Sequence, residues 1–125
     1  MTTMTPTLGT FGWSELATRD LAAAKTFYAG LFGWELYDES MGEMGTYTLI
    51  GGKTDHFGGM YEMNGPQFEG VPANWTNYVG VENCDAAAKR VTELGGKVLM
   101  PPMDIPGTGR FSIVADPGGA AFAVF

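Results

Sequence analysis

Glu15 and Glu62 are the carboxylates best placed to do chemistry in this sequence. Each follows a bulky apolar residue by two positions, Trp13 in "GWSEL" and Met60 in "GMYEM". Residues two apart in a strand share a face, so each pair reads as a carboxylate on an apolar surface. Such a group is a candidate general base, or a holder of a cationic ligand. The plainer role is a solvated side chain on an open face, or one paired with Arg110 or Lys97. His56, the single histidine, lies in "KTDHFGG" and reads as a turn residue. A metal site built from Glu15, His56 and Glu62 meets a register objection, because positions 56 and 62 fall at opposite ends of one strand, roughly 20 Å apart if it is extended. Cys84, the single cysteine, stands at the start of a helical segment, where the dipole lowers a thiol's pKa. With no histidine partner it reads as structural. No G-x-S-x-G, P-loop or Cys/His pair is present.

Aromatic and small residues define the surface these groups would occupy. The terminal "DPGGAAFAVF" is a tight turn and a short strand. Pro fixes φ in that turn and the two Gly residues permit positive φ. Alternation puts Phe122 and Val124 on one face and Ala121, Ala123 and Phe125 on the other. Two methyl groups on one face suggest a space beside it. Trp13, Tyr78 and Phe125, with Phe111 nearby, lie on a face that needs a ligand, a second subunit or one another as cover. Met60, Met100 and Met103 are adaptable candidates for a pocket wall. "MPPMDIPGTGR", residues 100–110, reads as a lid or as a rigid connector.

The elements that position these residues occur twice. "FGWSELATRD" alternates as a strand, with Leu16 and Thr18 on one face and Trp13, Glu15 and Ala17 on the other. "LAAAKTFYAGLFGW" carries Ala24, Phe27, Tyr28 and Leu31 at helical spacing. Asp20 is its N-cap and Gly33 its stop. "WELYDES", "GTYTLIGG" and "HFGGMYEM" read as strands. The order returns in "NWTNYVGVEN", a strand, and "CDAAAKRVTELGG", a helix with Ala87, Val91 and Leu94 on its apolar stripe. "KVLMPPM", "GRFSIVAD" and "AAFAVF" complete it as strands. A shift of 63 residues superposes Asp20 on Asn83, Leu31 on Leu94, Gly33 on Gly96 and Met60 on Ala123. Repetition of this kind implies one unit written twice. The modules run over about 10–63 and 74–125, with a Gly- and Pro-rich boundary at 64–74, in a single domain over 1–125.

The totals narrow the function classes. The chain has 125 residues, 45% of them hydrophobic, enough for a real core. Nineteen glycines favour short strands and tight turns. A net charge of −7 with seven Lys and Arg leaves no basic stripe for a nucleic acid. No apolar run approaches the ~20 residues that span a bilayer. "MTTMTPTLGT" lacks the features of a signal peptide and reads as a loose arm. A soluble cytoplasmic protein is expected, with neither nucleic acid nor membrane as partner.

The segments "ELATRDLAAAKTFYAGLFGWEL", "VENCDAAAKRVTELGGKVLMPP" and "DPGGAAFAVF" resemble the vicinal oxygen chelate superfamily, which holds glyoxalase I, extradiol dioxygenases and the bleomycin and fosfomycin resistance proteins. The resemblance covers residues 10 to 125 and is nearest the glyoxalase-related branch of unknown activity. It implies an α+β fold: two tandem βαβββ modules forming a curved mixed eight-stranded sheet, with helices on the outer face and a ligand on the concave one. Members with metal chemistry carry a His, Glu, His, Glu set on inward faces. Those positions fall on Trp13, about Met60, Thr76 and Ala123, none of which suits a divalent cation. The expectation is therefore a metal-free, cofactor-free small-molecule-binding protein. Its ligand would lie on the concave face among Trp13, Glu15, Met60, Glu62, Thr76, Tyr78, Phe111, Ala123 and Phe125, and the protein would be a homodimer. The alternatives are a lyase or isomerase with Glu15 as base, and a metal-dependent glyoxalase-like enzyme with atypical ligands.

Overall fold

A computed structural model describes residues 7–105 and 109–125, the side chain of Met44 aside. Among these residues eight strands and two α-helices form an α+β chain in which each helix is followed by three strands. The elements are β1 (Phe11–Thr18), α1 (Leu21–Phe32), β2 (Leu36–Ser40), β3 (Thr46–Ile50), β4 (Gly58–Glu62), β5 (Asn74–Val79), α2 (Cys84–Glu93), β6 (Lys97–Ile105), β7 (Gly109–Ala115) and β8 (Ala121–Val124). The expected βαβββ order is thus present twice. The described residues cluster into two compact units, Trp13–Trp75 and Thr76–Phe125, the second also holding residues 7–12.

In the first unit the strand order is β2-β3-β4-β1. β1 and β4 run parallel, the other pairs antiparallel. Asp20 caps α1 as its sequence position predicts, its side chain accepting from the Ala23 N–H at 3.0 Å. Gly33 closes the helix in the left-handed region, at φ 72°, where a side chain would be strained. Leu21, Ala24 and Tyr28 of α1 pack on a core of Leu16, Ile50 and Met60, flanked by Trp34 and Leu36. Phe27 and Leu31, read as part of the same stripe, point outward and are exposed.

In the second unit the order is β5-β8-β7-β6. Asn83 caps α2 through a bond from the Ala86 N–H at 2.9 Å, the same bond as in α1 moved along by the 63-residue repeat. Ala87 and Val91 pack on Cys84, Val114 and Val124. Leu94, expected on that stripe, is exposed instead. β6 carries Pro101 and Pro102, and its register with β7 slips between Val98 and Met103. Pro donates no ladder hydrogen bond, so it is tolerated where no second neighbour needs one. β6 is such a terminal strand. The stretch read as a lid is therefore mostly strand up to Ile105, and Pro106, Gly107 and Thr108 lie outside the described residues.

Candidate functional site

The first unit presents two sheet faces, and the pairing register decides which side chain stands on which. Glu15 lies opposite Gly59, and Leu16 lies opposite Met60. Leu16 and Met60 belong to the core under α1. Glu15 and Gly59 consequently occupy the far face, with Trp13 and Ala17 by the alternation of β1. Tyr61 follows on β4, and its partner Tyr47 on β3 shares that face. Glu39, opposite Tyr47 on β2, joins them.

Met60 and Glu62 do not fit the sequence expectation. Met60 is fully buried beneath α1, not on the face of Trp13. Glu62 Oε1 accepts from the Leu21 N–H at 3.0 Å and so satisfies a donor at the start of α1. The repeat explains the error. Glu15 maps on Tyr78 under the 63-residue shift, yet the partner of Glu15 is Gly59 whereas that of Tyr78 is Ala123, 64 residues on. One extra residue before β8 moves the equivalence by one, and a one-residue slip exchanges the faces of a strand.

A hydrogen-bonded relay lies on this far face. The Trp13 indole Nε1 donates to the Tyr47 hydroxyl at 3.0 Å, and that hydroxyl donates to Glu15 Oε2 at 2.8 Å. Tyr47 is only 7% exposed. Burial, followed by the negative charge of Glu15, pushes its phenol far above the ordinary range, so the group stays protonated and remains a donor. Burial and the Glu15 charge also push Tyr61 up, to about 12. The Tyr47 ring reaches Glu15 by lying across Gly59. A Cβ at residue 59 would overlap the Tyr47 hydroxyl and ring carbons. Gly59 is therefore required for close approach, not for its backbone angles.

His56 was read as a turn residue and does lie between β3 and β4. Its ring also packs edge-on against Trp13, centroids 5.7 Å apart, and Nδ1 lies 3.2 Å from the Lys53 carbonyl. The relay thus borders the single imidazole of the chain. Tyr47 and Tyr61 escaped the sequence reading. The signal for them was there: "TYTLI" and "GMYEM" each put a tyrosine in alternation with core residues.

The second unit carries the remaining candidates. Tyr78 is buried, and its ring meets Phe125 edge-on at 5.5 Å and Phe111 at 6.2 Å. These rings cover one another, one of the options left open above. Ala123 pairs with Tyr78 and Ile113 and is 0% exposed. The small side chain on that strand is packed in protein, so it does not border solvent. Thr76 shares the Tyr78 face by alternation and is half-buried. Cys84 is buried, with its thiol directed at the Val124 carbonyl, and burial raises its pKa where the helix-dipole argument suggested a decrease. Arg110 pairs with Asp85 and Asp104.

The donor chemistry at the superfamily's metal positions does not fit a divalent cation. At the positions that the resemblance assigned to ligands, the first unit has Trp13 and Met60, and the second has Thr76 and Ala123. Zinc, iron and nickel take imidazole, carboxylate or thiolate. Among the described residues no group of three or more His, Cys, Asp or Glu is placed to hold a metal ion.

Comparison with known proteins gives this geometry a context. The chain is 39% identical over 128 residues to the anthracycline biosynthesis protein DnrV of Streptomyces peucetius, covering 94% of the chain and 46% of that protein. It is 37% identical over 118 residues to the putative glyoxylase CFP32 of Mycobacterium bovis, covering 94% of the chain and 45% of the relative. The chain therefore spans about half the length of the curated relatives it matches. Among solved structures it resembles methylmalonyl-CoA epimerase of Streptomyces coelicolor, with a TM-score of 0.62 at 18% identity over 94% of this chain and 96% of the other. It also resembles the hypothetical protein BH1468 of Bacillus halodurans, with a TM-score of 0.68 at 13% identity over 93% and 92%. At such identities the likeness is one of fold. Among the described residues no helix is long and apolar enough to cross a membrane. Residues 10–124 match the Glyoxalase/Bleomycin resistance protein/Dioxygenase superfamily, and the chain belongs to it.

Proposed function

We propose that the chain binds a flat aromatic small molecule, cationic or neutral, without a metal, on the first unit's sheet face opposite α1. The observation that carries this reading is the Trp13–Tyr47–Glu15 relay. It gives that face a fixed indole, a buried phenol and an oriented carboxylate. The half-buried indole offers stacking surface for a flat ligand, and the carboxylate that the buried phenol orients attracts an amine. The mismatch of Trp13, Met60, Thr76 and Ala123 with cation chemistry supports independence from metal. The relationship to an anthracycline biosynthesis protein supports a fused-ring ligand. A single domain over 1–125 and a soluble, cytoplasmic setting complete the proposal.

A second reading has one observation in its favour. Glu15 is held by a phenol that does not readily lose its own proton. A carboxylate so oriented is a usable base for an isomerase or lyase step.

One experiment separates the readings. An anthracycline glycoside carrying an amino sugar is titrated into the protein, and quenching of the ligand's fluorescence is followed with and without EDTA. Saturable 1:1 binding that ignores EDTA supports the proposal. Loss of binding in EDTA, restored by a transition metal, overturns it, as does the absence of saturable binding to any fused-ring ligand in a thermal-shift screen. Glu15→Gln should weaken the charged glycoside and leave the uncharged aglycone unaffected. Turnover of a bound compound that falls ~10²–10⁴-fold in Glu15→Gln while binding persists establishes the second reading.

A further inference from the structure

The Gly- and Pro-rich stretch between β4 and β5 holds one residue that does not belong to an ordinary connector. It makes a single helical turn at Pro66–Phe68. Asn64, Gly65, Pro66, Gln67, Glu69 and Gly70 are exposed, as residues of a surface loop should be. Phe68 is the exception in this run and is half-buried. Its ring meets Tyr61 of β4, with centroids 6.0 Å apart and planes inclined at 52°. Aromatic pairs at that separation attract one another beyond their shared burial.

Pairing register places that contact on the relay face. Tyr61 lies opposite Ala17 of β1 and Tyr47 of β3, so it stands away from α1 with Trp13 and Glu15. β1 and β4 run parallel. Trp13 therefore marks the end of the face where β1 enters, and Ala17 with Tyr61 marks the end toward which both strands run. Phe68 stands at that second end. Ala17 is four steps along β1 from Trp13, roughly 13 Å in a strand, with Glu15 midway. Ala17 is 5% exposed, so the floor beside Phe68 is closed.

The strand that carries Glu15 also fastens this loop. Arg19 follows the last residue of β1 and continues the series Trp13, Glu15, Ala17 by one step. Its Nη2 donates to the carbonyl oxygens of Phe68 at 2.5 Å and Val71 at 2.7 Å. Bonds from a charged donor are roughly twice as strong as neutral ones. The Met63 N–H donates to the Thr18 carbonyl at 2.8 Å and ties the start of the loop to the same strand end. Within the loop the Val71 N–H donates to the Phe68 carbonyl at 3.0 Å. That carbonyl thus accepts from both Arg19 and Val71, which fixes the backbone that carries the ring.

We propose that Phe68 is the end wall of the relay face and sets how long a flat ligand the face accepts, with Arg19 as the residue that positions it. The inference rests on the reading that this face takes a flat aromatic ligand. A ligand stacked on Trp13 and running along β1 passes the Glu15 carboxylate and reaches Phe68 after roughly 13 Å. A ligand of that length gains an apolar contact with the ring, and a longer one is turned away. In an apolar pocket one methylene too many or too few changes discrimination by about 10–200-fold. The wall stands on a loop and not on the sheet, so altering it changes ligand length without altering the relay.

Isothermal titration calorimetry with probes of increasing length tests it: naphthylamine, aminoanthracene and an anthracycline aglycone. Phe68→Ala should raise affinity for the aglycone relative to naphthylamine at least ~10-fold, and Phe68→Trp should lower that ratio. Arg19→Ala should move the ratio in the same direction as Phe68→Ala. It should also speed hydrogen exchange of the amides at 64–71 while the strands keep their wild-type protection. Arg19 is exposed, so this variant should fold, with unchanged far-ultraviolet circular dichroism. A ratio that stays the same in both Phe68 variants overturns the wall and leaves the binding reading standing, because wild type still binds the probes. Wild type that binds none of the probes overturns the binding reading. The wall then stands if Phe68→Ala gains binding of the aglycone and falls if it does not. Unaltered loop exchange in Arg19→Ala overturns the role given to Arg19.

Discussion

Gly59→Ala isolates the feature on which the candidate site depends. Gly59 lies in β4 with no positive φ, so alanine suits its backbone. By itself the change should stabilise the chain by about 0.4–1 kcal/mol through the unfolded state. The added Cβ, however, would overlap the Tyr47 hydroxyl and ring. Both lie in a strand core, where β4 is held by β1 and β3 on its two sides. The ring must therefore leave. That breaks the Trp13–Tyr47 bond and the bond to Glu15, and strips a partner from a half-buried carboxylate. A neutral hydrogen bond is worth about 1 kcal/mol, and one to a charged group about 1.5–3 kcal/mol. Displacing a buried tyrosine adds packing loss on the order of 1–2 kcal/mol. The expected net cost is about 3–5 kcal/mol, read by urea denaturation at neutral pH. Tyr47→Ala removes the obstacle, so Gly59→Ala in that background should cost nothing or stabilise slightly. The coupling in this double-mutant cycle should exceed ~2 kcal/mol. A single variant within 1 kcal/mol of wild type, or additive behaviour in the cycle, refutes the argument that Tyr47 lies across Gly59.

Two further outcomes follow from the same structure. Glu62→Ala should lower stability by about 0.5–2 kcal/mol, since it removes the acceptor at the Leu21 N–H, and should leave binding of an aromatic ligand unchanged; a selective loss of binding with full stability would return Glu62 to the site. Tyr61 is held at about 12 against an ordinary value of 10.0, so its contribution to stability is complete below pH 10 and declines as pH rises from 10 through 12, because the unfolded chain gives up the proton first. Tyr47, displaced in the same direction, adds to that decline. Urea denaturation across this range should show wild type losing more stability than Tyr61→Phe, and equal losses would contradict the burial assigned to these phenols.

Much of the fold was legible because it is locally encoded. Asp20 and Asn83 announce their helices through side chains that bond three residues on, a relation contained in a few consecutive positions. Gly33 marks a stop through its own backbone freedom. Alternation in "FGWSELAT" placed Leu16 and Glu15 on opposite faces, and the repeat supplied the order of all eight strands. The candidate site was legible only in part, for Trp13 and Glu15 on β1. Whether Gly59 or Met60 stands beside Glu15 is set by hydrogen bonds between β1 and β4, about 40 residues apart in sequence. No local pattern fixes that register, because β4 offers an apolar side on either reading. Tyr47 joins the site by crossing a neighbouring strand where one residue lacks a side chain, and Ala123 is buried between its partners on β5 and β7. Those are meetings of distant segments. The sequence by itself determined which elements form and how they repeat, and only the tertiary pairing decided which side chains face one another, since register is a property of two strands and never of one.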